Sequence, residues 1–475
     1  MINGYSLFIL KGGVILLNQT KKYLKIMELQ EFYKGPRGIA VKILNRVERT
    51  DSYLDKLLDI ELKSDELNEL DKRFLTELTH GVVRWKTRLD FIIEYFCKNK
   101  FAMQDPNIRN AMRVALYQIL FLTKIPHAAA VNEAVEFVKK IRGQKAANLV
   151  NAVLRNIIRN LNKLPTPDSE SDPIQYLSIM YAHPTWIVKR WVERYGFYET
   201  EQLLSANNER PTVVVRANSL KTNVDELAKL FDERGIKYVK SKYLDDFLKV
   251  GHLTGIYNLD LFNQGYFSVQ DESAGLVVKL LDPKPGETVI DLCSAPGGKT
   301  TYIGELMKNE GKIIAVDKYE HRLNLVKQSC ERVGLTNVEF IAEDATAVNF
   351  NGSADKVLVD APCSGFGVIQ KKPDIKWQRE LSDIKNLVKT QLELLETASK
   401  LVKNGGVIVY STCTIEPEEN IEVVKSFLDK HPEFEIEDAR KYLPSDVVTN
   451  GGYMETFPHK HDMDGGFAVR LIKVK

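Results

Sequence analysis

The chain has 475 residues, of which 44% are hydrophobic and 27% charged. That composition excludes a largely disordered or fibrous protein, and the length excludes a single domain at ~100–200 residues per domain. Lys and Arg total 66 against 64 Asp and Glu, a net charge of +2 that as a total points to no polyanionic partner.

Taken by segment, the charge is uneven. Residues 36–165 carry 23 basic and 15 acidic side chains, whereas residues 271–475 carry 26 and 33. A basic N-terminal third precedes a mildly acidic C-terminal half.

Residues 1–35 read as an extension of unknown order, with Met27 as an alternative start. Tyr5–Leu17 is hydrophobic, but it is short of the ~20 apolar residues of a spanning helix and is interrupted by Lys11, Gly12 and Gly13. It also lacks the basic start and small-residue cleavage site of a signal peptide, so no membrane partner is expected. From residue 36 to 165 the pattern is helical. Ile39, Val41, Ile43, Leu44 and Val47 recur near a period of 3.6, as do Leu75, Leu78 and Val82, then Met112, Leu116, Ile119 and Leu120, then Val131, Val135 and Val138. No strand-like alternation interrupts them. Pro165, Pro167 and Pro173 with Asp168, Glu170 and Asp172 form a linker by composition.

Residues 176–270 predict linker helices and a small α+β module. A helical stretch, Trp186–Leu204, is followed by a β-rich run, Thr212–Arg216. A helix opened by Asn223 and Asp225 and closed by Gly235 leads into Ile236–Val239. From 271 to 475, short β-branched runs alternate with amphipathic helices. The strands are Thr288–Leu292, Lys312–Val316, Val338–Ile341, Lys356–Val359 and Val407–Tyr410, and the clearest helix is Leu381–Val402. Fully apolar strands in βαβα order predict a parallel sheet covered on both faces.

The cysteines are Cys97, Cys293, Cys330, Cys363 and Cys413. An odd count without a C-x-x-C pair argues against a disulfide framework and a zinc site. A reduced, cytoplasmic protein without a metal is expected.

The first strand of the α/β segment ends in Asp291, followed by Leu292, Cys293, Ser294, Ala295, Pro296, Gly297, Gly298 and Lys299. A small-residue loop there is where a doubly wound sheet binds a nucleotide-like ligand. Its glycines let the backbone approach, and the next helix offers free N–H groups. Gly298-Lys299-Thr300 matches the end of a phosphate-binding G-x-x-x-x-G-K-T loop, but Cys293 stands where its first glycine belongs. The dinucleotide G-x-G-x-x-G pattern is absent. Strand two ends in Asp317, placed for the hydroxyls of a ribose. Strand three is followed by Glu343 and Asp344, placed for an adenine amine, and strand four ends in Asp360. Acids at four strand ends repel one another unless a ligand with donors sits among them. S-adenosylmethionine has a ribose, an adenine and a cationic sulfonium, and no phosphate to be repelled.

Cys363 follows strand four and Cys413 follows strand five, at the edge where open α/β sheets place active sites. A lone free cysteine is usually a small buried hydrophobe, but two at neighbouring strand ends point to chemistry. Methyl transfer needs a thiol when the acceptor is C5 of a pyrimidine, which is not itself nucleophilic. A thiolate adds to C6, C5 becomes an enamine carbon that takes the methyl, and the C5 proton and the thiol then leave. Asp360 can hydrogen-bond the N3/N4 edge of the cytosine as the adduct forms.

Several stretches carry a specific resemblance: Val215–Lys221 (VRANSLK), Gly265–Ala274 (GYFSVQDESA), Leu292–Thr300 (LCSAPGGKT), Val359–Gly367 (VDAPCSGFG), Lys371–Trp377 (KKPDIKW), Tyr410–Asn420 (YSTCTIEPEEN) and Asp464–Phe467 (DGGF). Over residues 205–475 the chain resembles the RNA cytosine-C5 methyltransferases of the Sun/NOL/NOP family. The resemblance implies Cys413 as nucleophile and Cys363 in product release. It also implies Asp360 in the site, and Cys293 to Lys299, Asp317, Asp344 and Asp360 around S-adenosylmethionine. Asn107–Gln118, Ile125–Glu136 and Asn148–Arg155 resemble the NusB antitermination fold. The implied architecture is an all-α NusB-like domain (36–165), a small α+β RRM-like module (176–270) and a C-terminal α/β Rossmann-like class I methyltransferase domain (271–475).

Arg142, Lys145, Arg155, Arg159 and Lys163 lie in a run with no acid, which beside an RNA-modifying domain predicts a phosphate-contacting surface. Lys371, Lys372 and Lys376 are expected to contact phosphates near the cysteines. A NusB-like domain ahead of a two-cysteine methyltransferase implies a cytosine of 16S rRNA as substrate, free or in an assembling small subunit, presented in a flexible loop. The same chemistry on tRNA, or a NusB-type RNA-binding factor with a degenerate catalytic domain, are the other readings. A site contained in one chain makes a monomer adequate.

Overall fold

The computed structural model describes residues 32–474, apart from residues 51, 65, 99, 252–254, 349 and 351–353. The expectations for residues 1–31, the start at Met27 included, lie outside the described residues. The chain divides into two units, one up to Arg194 and one from Tyr195.

The first unit is helical. Its main helices are α1 (Gly35–Val47), α2 (Leu54–Leu62), α3 (Glu69–Arg84), α4 (Lys86–Phe96), α5 (Pro106–Phe121) and α6 (His127–Arg159). Starts are set by local chemistry. Asn68 accepts the Asp71 N–H ahead of α3, and Asp105 accepts the Asn107 N–H ahead of α5, where Pro106 gives up a donor the first turn does not use. Gly143 interrupts α6 with a φ of +81°, a conformation that favours glycine. Part of the basic excess is structural. Arg113 on α5 is almost fully buried and reaches Glu48, Asp90 and Asn110, so its charge is neutralised inside the unit. Lys145, Arg155, Arg159 and Lys163 are exposed, while Arg142 pairs with Asp105 at 2.5 Å.

The linker leads into α7 (Pro173–Met180). The helix expected over Trp186–Leu204 is two helices, α8 (Thr185–Tyr195) and α9 (Phe197–Asn208), because Gly196 stands between them with a φ of +79°. The second unit then builds a four-stranded antiparallel sheet from β1 (Val214–Ala217), β2 (Val239–Lys240), β3 (Phe247–Lys249) and β4 (Phe267–Val269), in the order β2-β3-β1-β4. Helix α10 (Val224–Glu233), capped by Asn223, packs Leu227 and Phe231 against Val215, Leu248 and Phe267. Strands β3 and β4 are three residues each, too short for a period of two to show in the sequence.

The larger sheet contains β5 (Thr288–Asp291), β6 (Lys312–Asp317), β7 (Val338–Ala342), β8 (Ala354–Asp360), β9 (Val402–Thr412), β10 (Phe434–Glu437), β11 (Met454–Thr456) and β12 (Gly466–Lys473). The five expected strands are parallel, in the order β9-β8-β5-β6-β7. The sheet is not wholly parallel, however. Antiparallel β12 pairs with β9 from Phe467–Thr412 to Ile472–Val407, and β10 and β11 pair with β12. Residues 457–465, with a short helix at Pro458–His461, join β11 to its antiparallel neighbour β12 without a long crossover.

Helices α11 (Glu272–Leu281), α12 (Gly298–Leu306), α13 (Glu320–Val333), α14 (Leu381–Leu401) and α15 (Ile421–Leu428) complete this unit. Alternation along β8 decides which face each side chain serves. Val357 and Val359 pack with Leu394 and Leu395 of α14, and Leu358 packs with Leu276 and Ile303 on the other face. Because β5, β6, β8 and β9 are parallel, their carboxyl ends share one edge. The order reverses between β5 and β8, and that crevice is where ligands bind in such sheets.

Candidate active site

At that edge lies an open cleft of about 610 Å3, within the ~300–1,000 Å3 usual for small-molecule sites. Cys293, Ala295, Asp317, Asp344, Asp360, Cys363 and Cys413 all line it. The other loop residues shape it from behind. Ser294 donates to the Val316 carbonyl through both its N–H (2.9 Å) and its hydroxyl (3.0 Å), which stitches the loop to the end of β6. Gly297 donates to the Ser294 carbonyl at 2.8 Å and has a φ of +105°. A side chain there would also press on the Val326 backbone at 3.0 Å, so glycine is required twice over. The Pro296 carbonyl accepts the Ser329 hydroxyl at 3.4 Å. Gly298 begins α12.

The acids give the cleft its electrostatic character. Asp317 is almost fully buried and accepts the Tyr319 N–H at 3.1 Å. Asp344 is held down to about 2 by hydrogen bonds from Lys318 and Thr346. The Cys293 thiol is pushed up, first by burial and then chiefly by the negative charge of Asp360. A potential that opposes a thiolate also opposes a phosphate and favours a cation. These residues therefore fit S-adenosylmethionine. Asp317 and Asp344 offer acceptors for hydroxyl and amine groups, and Arg322, which reaches the loop, is engaged by the Ala295 carbonyl at 3.2 Å and by Asp317 at 3.7 Å. Lys299, expected on the cofactor, instead turns its ammonium to Asp360 at 2.7 Å.

On the other side of Asp360 stand the two cysteines, with sulfurs 3.3 Å apart. Asp360 also accepts the Ser411 hydroxyl at 2.9 Å. The Cys413 thiol is lowered by the hydrogen bond with Cys363 and by the nearby cations Lys299 and Lys372, against the opposing effects of burial and of Asp360. Cys363 is correspondingly pushed well up, by the same hydrogen bond and by burial. Of the two, Cys413 is the thiol whose ionisation its surroundings favour, and Cys363 the one whose ionisation they oppose.

The loops carrying the two sulfurs are fastened together. The Ser364 and Thr414 hydroxyls are hydrogen-bonded at 2.7 Å, and the Gly367 N–H donates to the Cys413 carbonyl at 3.0 Å. Beneath them, fully buried Glu419 accepts the Ser364 N–H at 2.8 Å and the Gln391 amide at 3.1 Å. Sequence reasoning missed Glu419, Ser411 and the partner of Lys299. Glu419 is one of three glutamates in Glu416–Glu419, and nothing local marks it out as the one that turns inward.

The three lysines expected on RNA phosphates divide. Lys372 is exposed and lines the cleft. Lys371 is instead held between Asp271 (2.6 Å) and Asp464 (2.7 Å). Lys376 is fully buried and donates to Asn208 at 3.3 Å. Their spacing along a loop carried no sign of which would turn inward.

An electronegative crevice at the switch point of a doubly wound sheet, with no phosphate cradle and a paired thiol, belongs to the class of S-adenosylmethionine-dependent methyltransferases. The family described as "16S rRNA methyltransferase RsmB/F" matches residues 278–472. The NusB family matches residues 34–159, and the ferredoxin-like domain of RsmF/B-like methyltransferases matches residues 183–254. The "Probable ribosomal RNA small subunit methyltransferase B" of Bacillus subtilis is 39% identical over 446 residues, covering 92% of this chain and 98% of the relative. The protein so described from Synechocystis is 35% identical, covering 92% and 99%. The crystal structure of PH0851 superposes with a TM-score of 0.75 at 31% identity, covering 92% of this chain and 98% of that one. The chain belongs to the RsmB/F family of rRNA methyltransferases, with a NusB-like helical domain, a ferredoxin-like module and a catalytic α/β domain. Among the described residues, no helix is long and apolar enough to cross a membrane.

Proposed function

We propose that this enzyme methylates C5 of a cytosine in 16S rRNA through a covalent bond between Cys413 and C6 of the base. The observation that carries the reading is the pair of sulfurs 3.3 Å apart at the cofactor cleft, with Lys299 and Lys372 near Cys413. Cys413 adds to C6, and Asp360, held by Lys299 and Ser411, accepts from the N4 amine or, in its neutral form, donates to N3 as electron density moves onto that nitrogen. Bound S-adenosylmethionine supplies an electrophilic methyl group. Cys363 acts in product release: with Cys413 bound to C6, Cys363 gives up its own proton to solvent and, as a thiolate, takes the C5 proton as the bond to Cys413 breaks, restoring the aromatic ring and the Cys413 thiolate. Asp317 and Asp344 hold the ribose and adenine of the cofactor, against the backbone of Cys293–Lys299.

Choosing 16S rRNA over tRNA rests on the family's description and on the names of the relatives, together with the NusB-like domain. Exposed Lys145, Arg155, Arg159 and Lys163 on residues 36–165 hold phosphates, residues 176–270 form the small module, and residues 271–475 carry out catalysis. One chain contains both sulfurs and every acid of the site, so a monomer suffices.

The test is a pair of variants incubated with rRNA and cofactor. Cys413→Ala should abolish methylation and the covalent adduct, whereas Cys363→Ala should accumulate the adduct. The reverse pattern would overturn the assignment of roles. Mapping of 5-methylcytosine in rRNA from a deletion strain tests the substrate, and unchanged 16S rRNA would overturn it.

A further inference from the structure

Val215–Lys221 is a stretch the chemistry above does not use. Its structure explains it. Arg216 lies on β1 of the small sheet and is fully buried. A guanidinium has five N–H donors in a rigid fork, and here every one is satisfied. Nε donates to Glu305 at 3.0 Å, and one Nη2 hydrogen goes to the other oxygen of the same carboxylate at 2.7 Å. The second Nη2 hydrogen goes to the Thr301 hydroxyl at 3.1 Å. Nη1 donates to the Gly298 carbonyl at 3.1 Å and to the side-chain oxygen of Gln270. The plane of the fork stacks 4.3 Å from the Tyr302 ring.

Four of these partner residues, Gly298, Thr301, Tyr302 and Glu305, lie on α12, the helix that opens directly from the Cys293–Gly297 loop. The same stretch grips the neighbouring helix. Asn218 donates to the Val333 carbonyl at 2.9 Å and Lys221 to the Arg332 carbonyl at 2.9 Å, both at the C-terminal end of α13. Helix α13 in turn backs the loop through Val326, which touches Gly297. The cofactor loop is thus held between two helices, one anchored by Arg216 of β1 and the other by Asn218 and Lys221 in the turn that follows it.

We propose that Arg216 is a positioning residue for S-adenosylmethionine: by fixing the first two turns of α12 it sets the Cys293–Gly298 backbone that receives the cofactor. The small module then acts on the cofactor side of the enzyme. A preorganised loop binds without paying to order itself, so loosening it weakens cofactor affinity more than the chemical step.

Arg216→Met alone leaves Glu305 buried without its cation, which is enough to unfold a domain. The double variant Arg216→Met/Glu305→Met removes both charges and keeps the volume. Arg216→Lys keeps the charge but cannot reach every acceptor of the fork. On the full-length protein, cofactor binding is measured by calorimetry with S-adenosylmethionine, RNA binding by filter retention, and backbone opening by hydrogen exchange of the peptide spanning 293–301 in cofactor-free protein. The folded double variant should bind S-adenosylmethionine at least 10-fold more weakly and exchange that peptide at least 10-fold faster. RNA affinity should stay within about twofold and kcat at saturating cofactor within about threefold, with Arg216→Lys intermediate. A folded double variant with cofactor affinity within twofold of the parent would overturn the proposal. So would an equal loss of RNA and cofactor binding, because the cluster would then hold the unit together without acting on the loop.

Discussion

Gly367 and Gly465 meet backbone to backbone. The Gly465 N–H donates to the Gly367 carbonyl at 2.9 Å, and a side-chain carbon on Gly367 would overlap the Gly465 carbonyl and come within 2.8 Å of the Cys413 carbonyl. Three loops therefore cross where no side chain fits: the one carrying Cys363, the one carrying Cys413, and the turn into β12. The separation of the sulfurs is set by that crossing.

Gly367→Ala should part the loops by a few tenths of an ångström or more. We expect methyl transfer and adduct formation to fall by roughly 100-fold, since small misplacements of reacting groups are costly, with a stability loss of about 1–3 kcal/mol. S-adenosylmethionine affinity, read by calorimetry, should be unchanged, because the Cys293–Gly297 loop is built on other contacts. An unimpaired adduct yield would show that the crossing does not set the geometry.

Lys299→Met removes a cation that favours the Cys413 thiolate. The pH profile of adduct formation, or of Cys413 alkylation, should move to higher pH, because the thiol loses that stabilisation of its charged form. The rate near pH 7 should fall by roughly 10-fold or more. A profile that keeps its position would remove Lys299 from the ionisation of Cys413.

Asp291 ends β5, is 1% exposed, and is pushed up to about 7, chiefly by burial and then by Asp360, against the Thr300 hydrogen bond. A carboxyl raised above its unfolded value contributes stability that is complete below about pH 4 and is lost as pH rises toward 7. Asp291→Asn still accepts from Thr300 but cannot ionise. Its stability curve in urea should be flatter between pH 4 and 7, and near pH 8 it should exceed the parent by roughly 2–4 kcal/mol in cofactor-free protein. Parallel curves for the two proteins would contradict the buried, uncharged carboxyl.

Replacing Lys145, Arg155, Arg159 and Lys163 with Gln should weaken rRNA binding and make the salt dependence shallower. The slope of log affinity against log salt should decrease by roughly 0.7–0.9 for each phosphate that is no longer neutralised. Cofactor affinity should not change. An unaltered slope would move the RNA-holding surface elsewhere.

Much of this protein was legible in its sequence because the signals are local. Helical periods, five short apolar strands and the acids and cysteines at their ends follow from alternation and loop chemistry within a few residues. Parallel pairing then carries Asp291, Asp317, Asp360 and Cys413 to one edge without further information. What only the tertiary structure decided are relations between distant residues. Lys371 and Lys376 face Asp271, Asp464 and Asn208, not phosphates, because a partly or fully buried ammonium requires acceptors, and the chain brings these from about a hundred residues or more away. β12 joins β9 across the more than fifty residues between them, a pairing that no local signal announces. Arg216 anchors a helix more than eighty residues further along. Ionisation is favoured at Cys413 over Cys363 because sulfurs fifty residues apart in sequence come to rest 3.3 Å from each other, with Lys299 and Lys372 near Cys413. The residue types announce the chemistry, and the packing decides which of them carries the charge.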